Sequence, residues 1–251
     1  MDDMTHFLDI YGHLPRAGPG STASTRRAWA LMTDLPASPR VLDIGCGPGV
    51  QTVDLLQLTA GQVLALDFLP LMVERTRALA AQAGVADRLT VLQQDMHEMD
   101  FAPASFDVVW SEGAIYNLGF ENGLNKVKPF VRSGGHVVVS EAVWLQPAPP
   151  ALVVAHWQEY PEIDTIAHKL AVIGRLGYTL QGHFVLPESD WTTDYYDPME
   201  RLLPLKAKQW AGGPDEDKGL AVIDEARREI AMYRQNSAWY GYAFFVMKRR
   251  G

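Results

Sequence analysis

The residues best placed to do chemistry fall in a short stretch. Val41-Leu42-Asp43-Ile44 is followed by glycine at 45, 47 and 49, with Cys46 between the first two. The apolar run suits a strand buried on both faces of a parallel sheet. A carboxylate at its end is costly to leave unpaired, so Asp43 is expected to meet backbone N–H donors or a cationic ligand group. The glycines let the backbone turn tightly and approach a ligand with no Cβ in between. Val50 to Leu58 then carries apolar residues at helical spacing. Strand, glycine loop and helix together form the ligand-binding corner of a doubly wound α/β sheet. A dinucleotide fingerprint requires a third glycine where Val50 stands, and the chain has no phosphate-loop lysine motif.

Further acids follow at matching places. Asp67 closes the apolar run Gln62 to Leu66 about twenty residues past the glycine loop, where a carboxylate can accept ribose hydroxyls. Phe68 and Leu69 come next and could lie on one face of a purine. A third strand, Leu89 to Gln93, leads into Asp95-Met96. A fourth, Phe106 to Trp110, runs into Ser111-Glu112-Gly113-Ala114-Ile115-Tyr116-Asn117. Ligands of such sheets sit beyond the carboxyl ends of the strands, so this polar cluster is the leading catalytic candidate.

The pattern D-x-G-x-G-x-G resembles motif I of the class I S-adenosylmethionine (SAM) dependent methyltransferases, of the ubiquinone/menaquinone-biosynthesis-like type. The resemblance covers about residues 38–142, including a glycine segment before the fifth strand, Val131 to Gly135, that resembles "LKPGG" with serine in place of proline. It implies that Asp43, Gly45, Cys46 and Gly47 lie against the methionine part of the cofactor. It also implies that Asp95 accepts from the adenine amino group while the backbone of Met96 reads a ring nitrogen. Ser111 is expected at the cofactor's edge. Glu112, Tyr116 and Asn117 are the candidate catalytic residues, Glu112 or Tyr116 serving as general base if the acceptor must lose a proton. Glu141 ends the fifth strand much as Glu112 follows the fourth, which would place two carboxylates near one pocket.

These residues need a frame. The expected fold is α/β: a doubly wound, seven-stranded, mostly parallel sheet, its last strand (Trp239 to Lys248) antiparallel as the resemblance implies. Residues 1–37 read as an N-terminal helical cap, with a short helix from Asp2 to Gly12 and another from Thr22 to Thr33, N-capped by Ser21. The turn-rich Leu14 to Ser21 between them has two open readings. It is a plain connection, or it borders the cofactor carboxylate or acceptor through Arg16 and Ser21. Residues 38–251 form the methyltransferase domain, with helical insertions on the acceptor side at about 143–176 and 188–238. Helices are expected over Pro70 to Gln82, Leu118 to Phe130, Ala151 to Tyr160, Ile163 to Leu176 and Asp215 to Gln235, and a sixth strand over Gly177 to Leu186. Tyr242, Phe244 and Phe245 read as core by strand alternation, whereas Trp144, Trp191 and Tyr195 stand between core and acceptor pocket, a cation–π cage for an amine included.

Composition narrows the chemistry. At 251 residues the chain can bury a substantial core, and a formal charge of −8 disfavours nucleic acid as a partner. One cysteine excludes an internal disulfide, and Met1-Asp2-Asp3-Met4 lacks the features of a signal peptide. A cytoplasmic protein away from membranes is expected. Seven histidines show no H-E-x-x-H spacing, and C-x-x-C is absent, so no metal site is expected. The missing D/N-P-P-Y/F signature disfavours amino methylation of nucleic acids. The expectation is methyl transfer from SAM, yielding S-adenosylhomocysteine (SAH), to a small-molecule acceptor by in-line displacement. A non-catalytic SAM-binding module is the alternative, with an NAD-dependent oxidoreductase third; the sequence leaves the oligomeric state open.

Overall fold

A computed structural model describes residues 3–251. The first helix, α1 (Asp3–Tyr11), and α2 (Thr22–Ala30) precede the sheet. Asp2, expected at the start of α1, lies outside the described residues. β1 (Arg40–Ile44), α3 (Val50–Leu58), β2 (Gln62–Asp67), α4 (Pro70–Gln82), β3 (Leu89–Gln93) and β4 (Phe106–Glu112) follow, with a helix after each of the first two strands and only the 3-10 turn Met96–Glu98 between β3 and β4. Then come α5 (Phe120–Val127), β5 (Val131–Trp144), α6 (Ala151–His156), the two-residue β6 (Asp164–Thr165), α7 (Ile166–Arg175) and β7 (Tyr178–Val185). The chain ends with α8 (Glu188–Trp191), a π-helical turn (Thr192–Tyr196), α9 (Asp197–Trp210), α10 (Glu216–Asn236) and β8 (Tyr240–Arg249).

The main strand order is β3-β2-β1-β4-β5-β8-β7, with β6 paired to β5 outside this path. β1 lies parallel to both β2 and β4, whereas β8 is antiparallel to β5 and β7. The expected seven strands are present, and β6 is an eighth. Two of the core clusters form by simple alternation, since successive side chains of a strand point to opposite faces. Leu42, Ile44, Val109, Val137, Val139 and Phe245 build one face. Val41, Val63, Val108, Trp110, Val138 and Phe244 build the other. A third cluster lies in the helical layer, where α1, α8, α9 and α10 bury Ile10, Trp191, Met199, Ile230 and Tyr233 against Tyr240.

Some expected boundaries shift for local reasons. The helix expected from Leu118 is interrupted by Gly119 at φ 77°, and α5 ends before a 3-10 turn at Lys128–Phe130 that carries Pro129. Ser133-Gly134-Gly135 is not a turn before β5. It lies within that strand, and Gly134 at φ 70° coincides with a register shift against β4. α1 belongs to the helical layer: Asp9 accepts from Lys206 Nζ at 2.6 Å, and Tyr11 donates to Glu229 at 3.3 Å.

Candidate active site

The carboxyl ends of β1, β2 and β4 open into a cavity of about 550 Å³, within the usual range of small-molecule sites. Its walls are the loop from Gly45 to Pro48, Leu66 to Leu69, Gln94 to His97, and Glu112 to Asn117 except the buried Ile115. Arg16 to Pro19 and Phe7 close it from the N-terminal side.

The glycine loop forms the floor. Gly45, Gly47 and Gly49 have φ of 69°, 53° and 92°, the left-handed region that strains any other residue. A Cβ at Gly45 would stand 2.4 Å from Ala114 Cβ, and one at Gly49 would lie within 3 Å of Thr76. The N–H groups of Gly45 and Cys46 both donate to Leu66 O, at 2.9 and 3.0 Å, tying the loop to the end of β2. Asp67 completes the tie: Oδ2 accepts from Gly47 N at 2.9 Å and Oδ1 from Leu69 N at 3.0 Å. Burial raises the Asp67 pKa, and these N–H donors oppose the shift.

Asp95 and Met96 lie on the opposite wall. Asp95 caps the 3-10 turn Met96–Glu98, its Oδ1 accepting from His97 N and meeting His97 Nδ1, both at 2.8 Å. Those hydrogen bonds hold its carboxyl below the usual carboxylate range. Phe68 projects 65 % exposed beside the cavity, with Phe7 also exposed.

Glu112 sits in a buried network. Its Oε1 accepts from Thr25 Oγ1 and Trp110 Nε1, both at 2.8 Å, and its Oε2 meets Arg16 Nη1 at 3.3 Å. Arg16 also reaches Asp54 Oδ2 at 3.3 Å. Trp110 and Glu112 are two apart on β4 and therefore share a face. Burial raises the Glu112 pKa while Arg16 lowers it. With both oxygens engaged, Glu112 joins the N-terminal linker to β4 while also lining the cavity, an arrangement that suits a strut better than a free general base. Arg16 accordingly is both a strut member and a wall residue, so the linker is more than a plain connection.

Three expected cofactor contacts do not line the cavity. Ser21 caps α2 by accepting from Ser24 N at 3.1 Å. Ser111 donates to Ile44 O at 3.0 Å, bracing β4 against β1. Asp43 is fully buried, shares the Val41 face beneath α3, and accepts from Thr52 Oγ1 at 2.6 Å. Its Oδ1 has no hydrogen-bond partner, and burial pushes its pKa up to about 7. The loop backbone, rather than these three side chains, faces the cavity. Cys46 is buried, its side chain 3.6 Å from Thr76 Oγ1, and burial raises its thiol pKa.

At the far end stand Tyr116, 40 % exposed and edge-on to Tyr160, and Asn117, whose side chain donates to Ala114 O at 3.0 Å. Glu141 does not join Glu112 there. It is buried beside Lys169 Nζ at 3.6 Å and does not line the cavity. Trp191 and Tyr195 pack in the helical core, 4 % and 5 % exposed, and neither they nor Trp144 lines this cavity. Sequence reading missed Phe7 and Gln94. A lone aromatic on an amphipathic helix and a glutamine after a strand carry no signal of ligand contact. Among the described residues no cluster of three or more histidine, cysteine or acidic side chains could hold a metal, and no helix is long and apolar enough to cross a membrane.

Residues 41–135 match a family model described as a methyltransferase domain. A sterol 24-C-methyltransferase of Gibberella zeae is 26% identical over 171 residues, which cover 64% of this chain and 45% of that protein. The sarcosine/dimethylglycine N-methyltransferase of Aphanothece halophytica is 24% identical over 205 residues, covering 72% of this chain and 74% of that one. The chain thus spans under half the length of the first relative and about three quarters of the second. Among solved structures, a SAM-dependent methyltransferase from Geobacter sulfurreducens in complex with SAH superposes with a TM-score of 0.85 at 19% identity, covering 98% of each chain. The strand order, the antiparallel β8 and this superposition together establish that the chain has the class I SAM-dependent methyltransferase fold.

Proposed function

We propose that the chain is a SAM-dependent methyltransferase acting on a small-molecule acceptor. The observation that carries this reading is the convergence on one cavity of the glycine floor, Asp67, Asp95 and the polar turn at Tyr116 and Asn117. The residues fit the cofactor: Gly45 leaves a cradle that a Cβ would fill, and Asp67 and Asp95 present acceptors on two walls. In this reading the Gly45 to Gly47 backbone holds the methionine part, Asp67 the ribose hydroxyls, Phe68 one adenine face, and Asp95 with Met96 the adenine edge.

When bound, SAM supplies a sulfonium methyl already activated for transfer. The protein's part is then orientation and water exclusion. Phe7 and Phe68 shield the cofactor side, and Arg16 to Pro19, pinned by Glu112, forms the opposite wall. Tyr116 and Asn117 border the acceptor, with Tyr116 the remaining candidate to take its proton. A negative chain disfavours nucleic-acid acceptors, and a single cysteine fits a cytoplasmic location. Relatives named for sterol carbon and for amine nitrogen leave the acceptor atom open.

Calorimetry with SAH tests the cofactor reading, and methyl transfer from labelled SAM to a panel of small acceptors tests the activity. Asp67→Asn keeps only one acceptor oxygen for Gly47 and Leu69, and SAH affinity is expected to fall about 10- to 100-fold, the worth of one to two charge-assisted hydrogen bonds. No SAH binding by the parent, or an Asp67→Asn variant that binds like the parent, removes the assignment.

A further inference from the structure

Beyond Gly113 and Tyr116 the helical layer encloses a polar centre that the cofactor does not account for. A Cβ at Gly113 would lie 3.3 Å from Tyr242 Cε2, so only a glycine separates the cavity wall from that ring. Tyr242 is half-buried although its neighbours Gly241 and Ala243 are buried and β8 lies inside the sheet, between β5 and β7. Trp191 links this ring to an acid of α10: its ring lies 5.1 Å from that of Tyr242 and 6.0 Å from that of Tyr196, whose hydroxyl donates to the half-buried Glu229 at 2.9 Å.

Glu229 differs from the other interior acids nearby. Glu141 has Lys169, and Glu112 has Arg16. Among the described residues Glu229 takes part in no ion pair. It accepts from Tyr196 Oη at 2.9 Å and Tyr11 Oη at 3.3 Å. A desolvated carboxylate surrounded by neutral donors leaves its charge uncompensated and favours a cation. A second observation points the same way. Tyr240 Oη, on a ring 1 % exposed and 6.1 Å from that of Trp191, has no hydrogen-bond partner. A buried hydroxyl of this kind calls for a ligand or water, and its lone pairs can accept from an ammonium.

We propose that the helical layer beyond Gly113 forms a subsite for the ammonium group of a small-molecule acceptor, from Glu229 and the tyrosines at 11, 196, 240 and 242. This rests on the methyltransferase reading above and adds the class of acceptor. Tyrosine faces attract an organic cation, and Glu229 supplies the opposite charge. The charge on the acceptor, rather than its shape, is what the subsite selects.

The test uses the full chain saturated with SAH and two probes of one shape, choline and its uncharged isostere 3,3-dimethyl-1-butanol. Choline is expected to bind at least tenfold tighter than the isostere. Glu229→Gln should lower choline affinity at least tenfold while SAH affinity stays within about twofold, which also reports that the variant is folded. Tyr196→Phe removes one donor to Glu229 and should cause a smaller loss of the same kind, and it carries the test if Glu229→Gln fails to fold. Equal affinity for the two probes, binding of neither, or choline binding untouched by the variants overturns the proposal while SAH binding stands. A parent chain that does not bind SAH overturns both readings.

Discussion

Replacing Glu112 by glutamine separates a strut from a catalytic base. The carboxylate and Arg16 are 5 % and 7 % exposed, so solvent screens their contact little. Glutamine keeps one acceptor oxygen. If that oxygen faces Thr25 and Trp110, the new amide N–H₂ points at the Arg16 guanidinium, donor against donor; if it flips, two donors lose their acceptor. Breaking a buried pair outright costs about 3–5 kcal/mol. Here Asp54 still pairs with Arg16 at 3.3 Å, so the loss should be about 2–3 kcal/mol. For a chain of this length that corresponds to a melting temperature lower by about 4–12 °C. Turnover with saturating SAM, on an acceptor the parent methylates, should stay within about tenfold of the parent, whereas loss of a general base costs about 10²–10⁴. Thermal melts and steady-state rates on the same preparation decide. A variant that melts within about 2 °C of the parent but turns over more than a hundredfold slower would restore Glu112 as the base and refute the strut.

Gly45→Ala should weaken SAH binding at least tenfold by calorimetry. Its φ of 69° costs about 1–2 kcal/mol in any other residue, and the Cβ would meet Ala114 at 2.4 Å; parent-like affinity would mean the loop is not the cofactor floor. Tyr116→Phe should slow transfer to an acceptor that must lose a proton while leaving SAH affinity unchanged, and an undiminished rate would strike Tyr116 from the mechanism. His136 gives a pH prediction. Burial between β4 and β8, with neither ring nitrogen hydrogen-bonded, lowers its pKa to about 4. The folded state therefore holds the neutral ring, and its contribution is complete above about pH 6.5 and lost as the pH falls towards 4, by roughly 3 kcal/mol. Asp43, pushed up to about 7, acts in the opposite sense, so the informative quantity is parent minus His136→Phe at each pH. That difference should shrink on acidification; a constant gap from pH 7 to pH 4.5 would contradict the assignment.

The corner of the fold that receives the cofactor was legible in the amino-acid order because its determinants are local. Apolar runs fix where β1, β2, β3 and β4 lie. Each ends in or next to a polar residue, and the strand-to-helix turn needs glycine where φ is positive, so Gly45, Asp67, Asp95 and Tyr116 could be placed on one edge from spacing alone. Helix limits such as Pro70 and Gln82 followed from proline at the start and glycine past the end. Tertiary structure decided what those side chains do. Nothing local distinguishes a Glu112 that faces an acceptor from one held by Arg16 and Thr25, which lie 96 and 87 residues away. Nor does the order of residues show that Asp43, Ser21 and Ser111 are spent on bracing the fold, that Phe7 reaches the cavity, or that Glu229 finds tyrosines 11 and 196. Many aromatic and acidic residues in the second half had equal claim to such pairs. The choice among them depends on how α1, α9 and α10 dock over the sheet, a matter of long-range packing that no window of sequence contains.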